Sequence, residues 1–94
     1  MNITKCLTIS TAHITGETAE KLEQNFCTGE IDLAVYDKGD YGWWIYIGND
    51  LKEIPDGIPD DLMQCIGLAY AYDCEWLCLD QAAEVEDGLS VYDW

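Results

Sequence analysis

Apolar and polar residues alternate most clearly over residues 31–36 and 40–47, and this pattern predicts a β-hairpin. Ile31, Leu33 and Val35 alternate with Asp32, Ala34 and Tyr36. Tyr41, Trp43, Ile45 and Ile47 alternate with Asp40, Gly42, Trp44 and Tyr46. A period of two is the signature of a strand with one buried face. Asp37-Lys38-Gly39 fits a three-residue loop, a type I turn with Gly39 in the left-handed bulge position. That loop pairs Tyr36 with Asp40 and Leu33 with Trp43. Ile31, Leu33, Val35, Trp43 and Ile45 then share one face, and a one-residue slip would mix the faces.

The rest of the chain reads around this hairpin. Residues 4–9 alternate as a strand, and 10–14 read as a loop. Thr15 is placed to cap a helix over 16–26, with Ala19, Leu22 and Phe26 as its apolar stripe. Glu17 lies near the positive end of that helix dipole. Pro59 suits a first helical position, and Asp60 and Asp61 suit the first turn of a second helix reaching Tyr72. That helix buries Leu62, Ile66 and Ala69. The continuous apolar run Trp76-Leu77-Cys78-Leu79 reads as a strand covered on both faces. Residues 80–88 form an acidic loop, and 89–94 offer a short C-terminal strand. The order is β-α-β-β-α-β, the ferredoxin-like order. It predicts a single α+β domain over 1–94, with a mainly antiparallel sheet and two helices on one face.

Charge changes the picture. The 94 residues carry 19 Asp and Glu against four Lys and no Arg, a net charge of −15. A magnitude of about 2–8 suffices to keep a small domain soluble, and excess like charge strains the compact state. Hydrophobic residues make up 49%, so this is no disordered acidic tail. Nucleic acid and anionic membrane surfaces would repel the chain. The absence of a leader-like apolar stretch and of a membrane-length apolar run points to the cytoplasm. There the five Cys read as reduced, small hydrophobes.

Chemistry is sparsely signalled, and we expect neither an enzyme nor a cofactor. His13 is the only histidine, no nucleophile-elbow motif accompanies it, and no phosphate-cradling glycine motif is present. For zinc, Cys74 and Cys78 are spaced unlike the paired ligands of ribbons and knuckles. For calcium, residues 37–42 lack the ligands an EF-hand needs at its third and twelfth positions. No metal site is expected.

Carboxylate spacing is more suggestive. Successive phosphates on one DNA strand lie roughly 6–7 Å apart through space, with about 3.4 Å of axial rise. Carboxylates at i, i+2 on a strand lie roughly 6.6 Å apart, and those at i, i+3 on a helix have Cβ atoms about 5–6 Å apart. Rows of acids thus approximate a run of phosphates. Three rows are candidates: Glu17, Glu20 and Glu23; Asp32, Asp37 and Asp40; and Asp56, Asp60 and Asp61 with Asp50 and Glu53. A solvated face is the commoner explanation for any single row. The hairpin's second face adds Tyr36, Trp44 and Tyr46, of which Trp44 and Tyr46 are the candidate partner-binding aromatics. Its alternative fate is to lie beneath the segment 89–94.

Four segments together resemble a known family: 5–15 (Lys-Cys-Leu-Thr-Ile-Ser-Thr-Ala-His-Ile-Thr), 41–46 (Tyr-Gly-Trp-Trp-Ile-Tyr), 74–80 (Cys-Glu-Trp-Leu-Cys-Leu-Asp) and 91–94 (Val-Tyr-Asp-Trp). The family comprises short acidic proteins of bacteria, phages and mobile elements without an assigned function. The resemblance carries over no functional residues. Its mobile-element setting implies a role in host–phage conflict, where acidic, anti-CRISPR-like inhibitors recur. Two functions are therefore expected as alternatives. One is a non-enzymatic inhibitor that imitates nucleic acid and blocks a basic phage-defence effector of the CRISPR or restriction type. The other is a protein–protein interaction module, such as an antitoxin or accessory subunit, with a generically acidic surface.

Overall fold

The computed structural model describes residues 3–25, 33–39, 42–48 and 57–92. Along them run β1 (Cys6–Ile9), a 3-10 turn (Thr11–His13), α1 (Gly16–Glu23), β2 (Ala34–Asp37), β3 (Gly42–Tyr46), α2 (Asp60–Ala71) and β4 (Trp76–Asp80). The strands form one mixed sheet in the order β1-β4-β3-β2. β1 runs parallel to β4, and the other two pairings are antiparallel. The domain is α+β with the expected succession of elements.

Local chemistry explains the helix ends. The Thr15 side chain accepts from the Thr18 N–H and caps α1, as its position predicts. The 3-10 turn, expected as plain loop, is capped by Ser10, whose Oγ accepts from the Ala12 N–H at 3.1 Å. Pro59 precedes α2, with Asp60 and Asp61 in the first turn. α2 ends with Asp73 in the left-handed region at φ 58. Cys74 N–H then donates to Ala69 O at 2.9 Å and Asp73 N–H to Tyr70 O at 3.0 Å. These paired bonds form the Schellman closure, here built on Asp where Gly is usual.

The hairpin closes differently from the three-residue turn. Gly39 does adopt φ 60, but Asp37 lies opposite Trp43 and Tyr36 opposite Trp44. The strands therefore end at Asp37 and resume at Gly42, and the Lys38 N–H donates to Gly42 O at 3.0 Å. The cause is β3's other neighbour. Gly42 pairs with Asp80, and a Cβ at position 42 would stand 1.7 Å from Leu79 O. The longer ladder with β4 fixes where β3 begins, and the turn adjusts. The displacement is even, so Val35, Trp43 and Ile45 keep their common buried face.

That face carries the core. Ile9, Leu77, Leu79, Ile45 and Val35 on the sheet pack with Ala19 and Leu22 of α1 and with Leu62, Ile66 and Ala69 of α2. Each fully buried Leu or Ile contributes about 1.5–3 kcal/mol relative to exposure. Leu89 packs against the same core, and the Tyr92 N–H donates to Ala12 O at 2.8 Å. Residues 89–92 thus run beside the 3-10 turn and form no strand. The expected Phe26 and Ile31 lie outside the described residues.

Candidate functional site

Both helices pack on one side of the sheet, so its other side is the place to look. Strand parity sends Thr8 and Cys6 of β1, Trp76 and Cys78 of β4, Trp44 and Tyr46 of β3, and Tyr36 of β2 to that outer face. The ladder sets them in two cross-strand rows. Tyr46, Trp76 and Cys6 form one; Tyr36, Trp44, Cys78 and Thr8 form the other. Tyr36 is 53% exposed and Tyr46 43%. Among the described residues, no helix covers these side chains. The alternative cover, the C-terminal segment, leaves them open as far as residue 92.

The aromatic rings converge. Trp76 meets Tyr46 edge-on at 5.0 Å between centroids and Tyr36 at 6.0 Å with the planes tilted by 43°. Such offset, tilted pairs are the favoured aromatic arrangement. Thr4, Cys6, Tyr36, Trp44 and Trp76 line an open groove of about 420 Å³. Beside it, Lys38 folds over the face. Its Nζ lies 4.8 Å from the Trp44 ring centroid, donates to Asp80 Oδ2 at 2.7 Å and donates to Cys78 Sγ at 3.4 Å. The hydrogen bond from Lys38 holds the Asp80 carboxyl below its usual range, helped by the Ala82 N–H, and the bond to Asp80 raises Lys38. Cys78 is fully buried, yet it stands apart from the helix-side core. β4 is a central strand, so the apolar run 76–79 has a neighbouring strand on either edge. Its outer side is sheltered by Lys38 and the strand's aromatic neighbours, where the sequence had suggested a second covering layer.

Among the described residues, the predicted acids lie on other surfaces. Glu17, Glu20 and Glu23 are all exposed on α1, which packs against the opposite side of the sheet. Glu17 lies within 4.0 Å of Lys21 across one helical turn. Asp37 is exposed at the end of β2, opposite Trp43. Asp60 is exposed. Asp61 is engaged within the fold: Oδ2 accepts from the Thr15 N–H at 2.8 Å and Oδ1 from the Thr18 hydroxyl at 2.9 Å. Asp32, Asp40 and Asp56 lie outside the described residues, as do Asp50 and Glu53. The structure brings Trp44 and Tyr46 together with Tyr36, and among the described residues it joins none of the candidate acids to them.

Sequence reasoning missed Trp76, Lys38 and Asp80 as members of this face. Trp76 was hidden because its strand is apolar at both parities. Lys38 carried a faint signal as one of only four cations.

The remaining reactive groups are quiet. His13 is buried, with Nδ1–H donating to Ser90 O and Nε2 accepting from the Glu86 N–H, each at 2.8 Å. These partners assign the tautomer. Burial, reinforced by nearby Asp61, pushes the Cys65 thiol up to about 12. Cys6 is exposed, unlike buried Cys65, Cys74 and Cys78, and partial burial followed by Cys78 raises its thiol. Among the described residues, no three metal-ligating side chains converge, and no helix is long and apolar enough to cross a membrane.

Comparison with curated proteins and with solved structures finds no match. A family model does match, over residues 6–94: the chain belongs to the Family of unknown function (DUF5983) C-terminal domain.

Proposed function

We propose that this chain is a non-enzymatic protein-binding module that docks its outer sheet face onto a positively charged partner protein in the cytoplasm. The observation carrying this reading is the cluster of Tyr36, Trp44, Tyr46 and Trp76 on a face that no described helix covers. Tyr and Trp dominate the energetics of protein interfaces. Charge narrows the partner. A nucleic acid or an anionic membrane would be repelled, and a second copy would bring its own −15. A basic protein would be drawn in by electrostatic steering.

Nucleic-acid mimicry is the second reading, favoured by one observation: Glu17, Glu20 and Glu23 are exposed together on α1. In that case the helix side would enter a basic channel, such as that of a CRISPR or restriction effector. The two surfaces lie on opposite sides of a molecule 24 Å across its shortest axis. Screening reaches about 8 Å at physiological salt, so each surface can be altered with little effect on the other.

The experiment uses that separation. Partner capture is compared for the unmodified chain, a Trp44→Ala/Tyr46→Ala variant and a Glu17→Lys/Glu20→Lys variant. Docking by the aromatic face predicts loss in the first variant and retention in the second. Mimicry predicts the reverse, together with competition by DNA or guide RNA.

A further inference from the structure

We infer that the groove lined by Thr4, Cys6, Tyr36, Trp44 and Trp76 receives an arginine side chain of the partner, while Lys38 fills the adjoining cation seat from within the chain. This deepens the docking reading and rests on it. The first support is that the face already holds a cation. Lys38 lies over Trp44 at 4.8 Å with its charge met by Asp80 at 2.7 Å. That seat consists of a ring face and a carboxylate, which is what a compact, strongly hydrated ammonium requires.

The groove beside it is built differently. Its walls are the rings of Tyr36, Trp44 and Trp76, and among the described residues no carboxylate lines it. Its remaining polar groups among the described residues are the Thr4 hydroxyl and the Cys6 thiol, which burial favours in its neutral form. A cation entering here must be held by ring faces and by the chain's negative potential. A guanidinium suits these terms because it is planar, more weakly hydrated than an ammonium, and stacks on aromatic rings. The volume of about 420 Å³ lies in the range of small-ligand pockets, ample for one side chain. Lys38 and Asp80 neutralise each other, so they present no net charge to the incoming group.

The test is a nuclear magnetic resonance titration at about 0.15 M ionic strength. Three capped five-residue peptides are compared, carrying two arginines, two lysines or two leucines in a glycine background. The indole N–H signals of Trp44 and Trp76 report binding. The arginine peptide should bind at least about fivefold tighter than the lysine peptide, the scale of one cation–π contact. Trp76→Leu, which keeps apolar bulk but removes the indole, should erase that preference. Tyr36→Leu, at an exposed position on an edge strand, tests the same wall should Trp76→Leu perturb folding.

Equal affinity for arginine and lysine peptides, a tighter leucine peptide, or no binding by any peptide would each overturn the arginine seat. Docking by this face would survive any of these results if partner capture were still lost in the Trp44→Ala/Tyr46→Ala variant. Docking itself fails if that variant still captures the partner.

Discussion

Asp61 and its neighbour Asp60 differ by one position and should differ sharply in what they do. Asp61 ties the two helices together, its carboxylate accepting from the Thr15 N–H at 2.8 Å and from the Thr18 hydroxyl at 2.9 Å. The Thr15 N–H has no intrahelical acceptor at the start of α1, so its loss would leave a part-buried donor unmet. Hydrogen bonds to charged groups contribute about 1.5–3 kcal/mol each, and partial exposure places this pair toward the low end. Asp61→Ala should therefore cost about 2–3 kcal/mol, against a total stability of order 5–15 kcal/mol. Asp60→Ala removes the same charge from an exposed position and should stay within about 0.5 kcal/mol. The control matters because relief of self-repulsion in so acidic a chain acts on both variants alike. Urea unfolding followed by tryptophan fluorescence is the assay. With a slope of about 1 kcal/mol/M, the Asp61→Ala midpoint should fall by roughly 2 M relative to Asp60→Ala. Coincident midpoints would refute the structural role of Asp61 and return it to the pool of surface acids.

Three further outcomes follow from the geometry. Gly42→Ala should cost more than about 3 kcal/mol, because its Cβ would stand 1.7 Å from Leu79 O, whereas Gly39→Ala, at φ 60 in open space, should cost about 1–2 kcal/mol from its backbone alone; chemical denaturation separates them, and equal losses would contradict the close approach of β3 and β4. Asp80 is lowered by Lys38, so its contribution is complete above its ordinary value of 3.8 and is lost as pH falls through its lower folded value. Lys38 is raised, so its contribution is complete below its ordinary value of 10.5 and is lost as pH rises through its higher folded value. The stability difference between the unmodified chain and Lys38→Met should thus be flat between those values and shrink under acid, and a difference that grows as pH falls toward 3 would contradict the pair. His13→Ala removes the acceptor of the Glu86 N–H and the donor to Ser90 O, so amide exchange at Glu86 and Tyr92 should accelerate about tenfold or more, from bonds of about 0.5–1.5 kcal/mol each, with unchanged protection showing that residues 86–92 are held by other contacts.

The pattern along the chain disclosed most of the architecture because each element carries its own local signal. Thr15 caps α1, and Val35 and Ile45 share a buried face, as capping chemistry and alternation require, while Pro59 stands one position before its expected place, at the N-cap of α2. The turn register did not follow, because β3 answers to β4 as well as to β2, and long-range pairing outweighs a turn's own preference. The outer face was half legible. Trp44 and Tyr46 stood out through alternation. Trp76 did not, since a central strand with a buried Cys78 between Trp76 and Asp80 shows no clean polar side. The acidic rows illustrate the opposite limit. Spacing places Asp60 and Asp61 together, and only the fold reveals that Asp61 is spent on Thr15 and Thr18.

The most direct test of the account is a footprint of the bound partner on this chain, by amide hydrogen exchange of the complex. Docking through the aromatic face predicts protection over β2 and β3 and around Trp76, with α1 unchanged. Protection confined to Glu17, Glu20, Glu23 and the rest of α1, with the aromatic strands unchanged, would contradict it.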